Sequence, residues 1–270
     1  MRFIRADFAV CVKWTMTALR RVRQFMGLVV PTIALIRSCR NGKLVELWVG
    51  DSHAIFFNEC WPVSSRLTRI DDHRFVWHFG PRLMWSFADK GFPPDILLIA
   101  RLIRRIGRSR HFSLIVILGE IDVRVHLAGS QNQSRRSMAF VSEYVKQCQL
   151  MGRMLGAGRV LIAIPVPPGS LKGVSGYPRS GTLAERIDMF KILREALVVE
   201  VNATEAQPTT LLLDCTNQLS DCNGSLLDHL TDDGCHVNDI GAEIVRACFL
   251  AVSPSATTFT VPVDHPTRTP

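Results

Sequence analysis

The chain has 270 residues, is 47% hydrophobic and 21% charged, and carries a formal charge of +8. This length suits one large α/β domain or two small ones, and the apolar content, with no period in Gly or Pro, excludes a disordered or fibrous protein. The charge is local: residues 1–43 hold nine basic side chains (Arg2, Arg5, Lys13, Arg20, Arg21, Arg23, Arg37, Arg40, Lys43) against one acid, Asp7, whereas beyond residue 43 there are 23 charges of each sign. The excess therefore marks an N-terminal appendage, and the body of the protein needs no nucleic-acid partner to explain it.

The apolar stretch Phe8–Leu19 contains Lys13 and runs into Arg20, Arg21 and Arg23 with no small-residue cleavage site, unlike a signal peptide. The next apolar run, Phe25–Ile36, is only 12 residues long and contains Pro31, too short to span a bilayer. A basic helix over 8–24 is expected, packed on the domain by its apolar face; peripheral contact of residues 1–43 with an anionic membrane is the alternative. The eight cysteines are scattered with no C-x-x-C pair, which reads as reduced thiols of a cytoplasmic protein.

Five strands are predicted at Leu44–Val49, Arg74–Trp77, Phe112–Leu118, Arg159–Pro165 and Thr210–Cys215. The third and fourth are continuously apolar, as in a parallel sheet covered on both faces. Helical patterns at 53–58, 82–89, 95–107, 135–155, 182–203 and 239–250 alternate with them, predicting a three-layer α/β/α sandwich whose functional face is the carboxyl edge of the strands. The Pro/Gly-rich stretch 165–178 follows the fourth strand and is expected to wall a pocket. The chain thus divides into a basic helical extension (1–43), an α/β domain (44–252) and a Pro/Thr-rich tail (253–270) expected to be disordered.

The first strand leads into Gly50-Asp51-Ser52-His53, a serine on a tight turn that opens a helix, where backbone N–H groups can stabilise an oxyanion. Downstream, Asp233-Gly234-Cys235-His236 places an acid and a histidine three apart just before the last helix. Together they supply a nucleophile, a base and an orienting carboxylate. Asn238 is expected to cap the last helix, while His53, His78 and His126 read as structural histidines.

On these residues the chain resembles the SGNH/GDSL hydrolases, over roughly 44–250. The resemblance implies a flavodoxin-like five-stranded parallel sheet, a Ser52-His236-Asp233 triad acting through an acyl-enzyme on a small ester, an O-acetylated carbohydrate among the candidates, and no metal or cofactor. Gly80, in His78-Phe79-Gly80-Pro81, matches the glycine that lends its amide to the oxyanion hole. The third block departs from the family's Gly-x-Asn-Asp: here it is Gly119-Glu120-Ile121-Asp122, and Ile121 cannot donate a hydrogen bond. Arg124, paired with Glu120, is one replacement for that donor; the Ser52 and Gly80 amides alone are another. Two other readings stand beside the esterase: a binding module of the same fold without turnover, and a metal-dependent phosphoesterase using Asp51-x-His53.

Overall fold

Alternate residues of each central strand feed two separate cores, and this decides the architecture. In the computed structural model, which describes residues 27–41, 44–60, 66–106, 112–128, 139–170, 177–204 and 208–252, the sheet has six strands. Parallel strands β1 (Val45–Gly50), β3 (Arg74–His78), β4 (Phe112–Ile117), β5 (Arg159–Ala163) and β6 (Thr209–Leu213) lie in the order β3-β1-β4-β5-β6, and β2 (Leu67–Arg69) pairs antiparallel with β3 at the edge. The five parallel strands are those expected. The sixth corrects the strand count: a three-residue Leu-Thr-Arg segment is too short to carry a period-two signal.

Along β1, Leu47 and Val49 face one core with Leu114, Val116, Val160 and Ile162. Trp48 faces the other with Ile115, Ile117, Leu161 and Ala163. The first core is covered by α1 (residues 27–40), α3 (Met84–Lys90), α4 (Pro94–Ile106), α5 (Ala139–Leu155) and α6 (Leu183–Asn202). The second lies under α2 (Ser52–Phe56), α7 (Thr216–Leu219) and α8 (Asp239–Val252). Helices on both faces of a mostly parallel sheet make the expected three-layer sandwich.

Helix α1 lies within the stretch read as an appendage, and it buries Leu35 and Cys39 in the first core. The basic helix expected over 8–24, residues 171–176 of the Pro/Gly loop and the tail after 252 lie outside the described residues. Among those described, no helix is long and apolar enough to cross a membrane.

Local chemistry sets the helix starts nearest the carboxyl edge. Asp51 Oδ1 accepts the His53 N–H at 2.9 Å and so caps α2, and Asn238 Oδ1 accepts from Gly241 at 3.2 Å at the start of α8. The α6 start is a full capping box between Thr182 and Glu185. On β1 the buried Glu46 is held by the guanidinium of Arg246, which reaches across from α8.

Gly50 ends β1 opposite Ile117, and a Cβ there would stand 2.1 Å from the Ile117 carbonyl oxygen. Backbone cannot yield as a flexible side chain does, so Gly50→Ala is expected to destabilise the fold by about 3 kcal/mol. Urea denaturation checks this; a loss below about 1 kcal/mol would contradict the close approach.

Candidate active site

The carboxyl edge of the sheet gathers the residues singled out in the sequence. Ser52 is the first residue of α2, directly after β1, and its Oγ lies 2.8 Å from His236 Nε2. His236 Nδ1 lies 2.7 Å from Asp233 Oδ2. The other Asp233 oxygen accepts the N–H groups of Cys235 (2.8 Å) and His236 (2.7 Å), so one carboxylate both folds the loop and aims the ring. With Nδ1–H facing the carboxylate, Nε2 is left with its lone pair toward the serine hydroxyl.

Electrostatics follow from this geometry. Burial pushes the His236 pKa down, and Asp233 only partly offsets it, so the imidazole is neutral further into the acid range than a free histidine. Burial would raise the Asp233 carboxyl, but its bonds to the His236 ring and to backbone N–H groups outweigh that and hold it well below the usual range.

Gly80 follows β3. The Phe79 N–H donates to the Gly50 carbonyl at 2.7 Å, which sets this turn beside the end of β1. A Cβ on Gly80 would meet nothing within 4 Å; its φ of +77°, a left-handed value, is what calls for glycine. The Ser52 N–H stands in the first turn of α2, where N–H groups have no intrahelical acceptor.

The divergent third block is built into the structure in a different way. Asp122 opens a π-helix (Asp122–Leu127) and accepts the Met84 and Trp85 N–H groups at 2.7 and 3.2 Å, capping α3. Glu120 takes Arg124 Nε at 2.6 Å, and Arg124 Nη1 donates to the Pro178 carbonyl at 2.6 Å. The Arg124 guanidinium also lies over the Tyr177 ring, 5.3 Å from its centroid. Two of its nitrogens are therefore engaged, Nε by Glu120 and Nη1 in fastening the far end of the Pro/Gly loop. Glu120 and Arg124 line a small pocket with Val166, Pro168, Gly169 and Arg186, whereas His236 and Asp233 line a wider groove with Phe56, Glu59, Asp232 and Asn238.

Four neighbours of His236 were not singled out as site residues. Phe56 stacks on its ring at 4.2 Å, Tyr177 meets it edge-on at 5.6 Å, and the His53 ring lies 4.9 Å away. His53 is 1% exposed, and its Nε2 is 3.6 Å from Glu120 Oε2. Burial alone would lower the His53 pKa; Glu120 and Asp51 pull it above the ordinary value. Burial would raise Glu120, yet His53 and Arg124 hold it at about 2. Cys235, also buried, completes the cluster, and burial pushes its thiol up. His53, Cys235 and His236 bring metal-type donor atoms within 4.8 Å of one another. Only the adjacency of His53 to Ser52 and of Cys235 to His236 could have signalled this.

No protein-family model matches the chain, and no curated protein matches it. Among solved structures it is similar to a GDSL-like lipase from Bacteroides thetaiotaomicron, with 13% identity, coverage of 78% of this chain and 88% of that one, and a TM-score of 0.46. It is similar to Est24, a carbohydrate acetylesterase from Sinorhizobium meliloti, with 16% identity, 78% and 97% coverage, and a TM-score of 0.45. It is also similar to a catalytic mutant of Axe2, an acetylxylan esterase from Geobacillus stearothermophilus, with 13% identity, 76% and 92% coverage, and a TM-score of 0.45.

Asp51 is fully buried, its Oδ2 has no hydrogen-bond partner, and burial raises its pKa to about 6. A carboxyl raised in the folded state contributes stability below its unfolded pKa, and that contribution is lost as pH rises through about 6. Asp51→Asn keeps the cap and removes the charge. Its Tm relative to wild type should therefore climb between about pH 4 and pH 7; a pH-independent difference in thermal denaturation would rule out the buried charge as the cause.

Proposed function

We propose that this chain is a serine esterase of the SGNH/GDSL type, with Ser52 as nucleophile, His236 as base and Asp233 as its orienting acid. What supports the reading is the unbroken line of short hydrogen bonds from Ser52 Oγ through the His236 ring to Asp233, at 2.8 and 2.7 Å, on the carboxyl edge of the sheet. His236 Nε2 takes the hydroxyl proton as Oγ attacks the ester carbonyl. The Ser52 and Gly80 N–H groups receive the oxyanion, in place of a third-block asparagine. The alcohol leaves with the proton from Nε2; water, activated by the same nitrogen, then cleaves the acyl-enzyme and restores the serine. Asp233 stays ionised throughout and stabilises the imidazolium as it forms.

The walls argue for a short acyl group. Phe56 and Tyr177 crowd the His236 ring, leaving room for an acetyl-sized chain more readily than for a long one. Polar groups from Glu59, Asp232 and Asn238 along the adjoining groove suit a hydroxyl-rich alcohol such as a sugar, and the Glu120, Arg124 and Arg186 pocket offers further polar contact. The seven described cysteines are free, even Cys215 and Cys248, which share a thiol hydrogen bond. A cytoplasmic location, with the basic N-terminal stretch meeting an anionic surface, belongs to the same proposal. The phosphoesterase reading loses support because the cluster of metal-type donors found among the described residues leaves out Asp51.

Ser52→Ala and His236→Ala should each lower kcat on a short-chain ester by at least about 10⁴-fold with KM little changed. A fluorophosphonate probe should label wild type and not Ser52→Ala; equal labelling of both, or turnover lost to EDTA and restored by Mn²⁺, would overturn the serine mechanism. Because burial depresses the His236 pKa and the base must be neutral, kcat/KM should rise with pH to a plateau, with its midpoint below 6.5. A midpoint above that value would argue against His236 as base.

A further inference from the structure

We propose that His53, Cys235 and His236 form a binding site for a soft divalent cation of the Zn²⁺ class, and that occupancy switches the serine site off. The switching part rests on the esterase reading; the binding part does not. Each of the three side chains is buried and offers one donor atom, and the donors lie within 4.8 Å of one another. A tetrahedral centre with bonds of about 2.1 Å to nitrogen and 2.3 Å to sulfur sets its donors about 3.5 Å apart, so modest side-chain shifts close the set. Two imidazoles and a thiolate are a donor set for zinc or cobalt rather than for magnesium or calcium, which take oxygen.

Each histidine already has the carboxylate that metal-bound histidines use to fix their orientation. Asp233 holds His236 through Nδ1, which leaves Nε2 as the donor. Glu120 Oε2 stands 3.6 Å from His53 Nε2, and both ring nitrogens of His53 are buried without a hydrogen-bond partner, so the ring has a nitrogen free to ligate. An orphaned buried donor beside a second imidazole and a thiol is an unexplained polar atom in a hydrolase and an ordinary one in a metal site. On binding, the Cys235 thiol gives its proton to solvent and the sulfur takes up the cation as thiolate; no electron is transferred. The cation also takes the His236 Nε2 lone pair, the same pair that would receive the Ser52 proton, so a metal-bound enzyme has no base.

The test is a Co²⁺ titration of the full-length, metal-stripped protein, followed by absorption. Wild type and Ser52→Ala should both develop a near-ultraviolet thiolate-to-cobalt charge-transfer band that saturates at one equivalent and is bleached by Zn²⁺. Cys235→Ser, checked for native circular dichroism, should lack the band, and Glu120→Gln should weaken binding by about tenfold or more. No band in wild type, or an undiminished band in Cys235→Ser, overturns the site. Zn²⁺ should also inhibit ester hydrolysis, with EDTA restoring it; hydrolysis indifferent to a saturating cation overturns the switch. Hydrolysis unaffected by Ser52→Ala would instead remove the esterase reading and leave the cobalt result standing.

Discussion

The absence of a side chain at Gly50 is the constraint on which the site depends. Because nothing projects there, the last residue of β1 can lie against the Ile117 carbonyl at the end of β4, and the same residue accepts from Phe79 after β3. Three strand ends are thereby brought level. Ser52, Gly80 and the Gly119–Asp122 block emerge from adjacent strands at one height, and the loop that leads into α8 brings Asp233 and His236 to meet them. A bulge or register slip at this point would move Ser52 away from both Gly80 and His236.

Beneath the proposed triad lies a second layer of buried charge. Asp51, His53, Glu120 and Arg124 are all nearly inaccessible to water, and desolvation opposes each charged form. The layer holds together because the signs alternate: Glu120 sits between His53 and Arg124, and Asp51 shares His53. Buried ion pairs seldom add net stability over apolar packing, though removing one partner is costly. Such a layer makes better sense as a device for fixing positions. Through Arg124 it reaches the Pro178 carbonyl and Tyr177, and through His53 it reaches the proposed base.

Much of this was legible in the sequence, for reasons that differ by element. The runs Leu-Ile-Val-Ile and Val-Leu-Ile-Ala are apolar at every position because both faces of β4 and β5 are covered, and Gly-Asp-Ser with Asp-x-x-His stands out because one follows the first strand and the other precedes the last helix. The edge strand β2 was not legible, since it owes its form to pairing with β3 rather than to its own three residues. Nor was the π-helix, whose extra residue per turn has no composition of its own. Helix α1 was hidden by the charge around it: Arg37 and Arg40 read as part of a solvated extension, while Leu35 and Cys39, on the other side of the same turns, close the core. The environment of His53 lay beyond reach for a different reason, because Glu120 meets it only after the chain has crossed the sheet.

The two helical layers differ in thickness. Among the described residues, five helices lie over the first core, most of them long; over the second lie α8 and two helices of five and four residues. The groove and the Asp233–His236 loop belong to the thin side. Fluctuations that partly open a protein start where the fewest buried contacts must be broken. In this chain such openings can admit or release a small molecule at the carboxyl edge while the thick layer keeps the strands in register, so breathing at the groove and durability of the sheet need not compete.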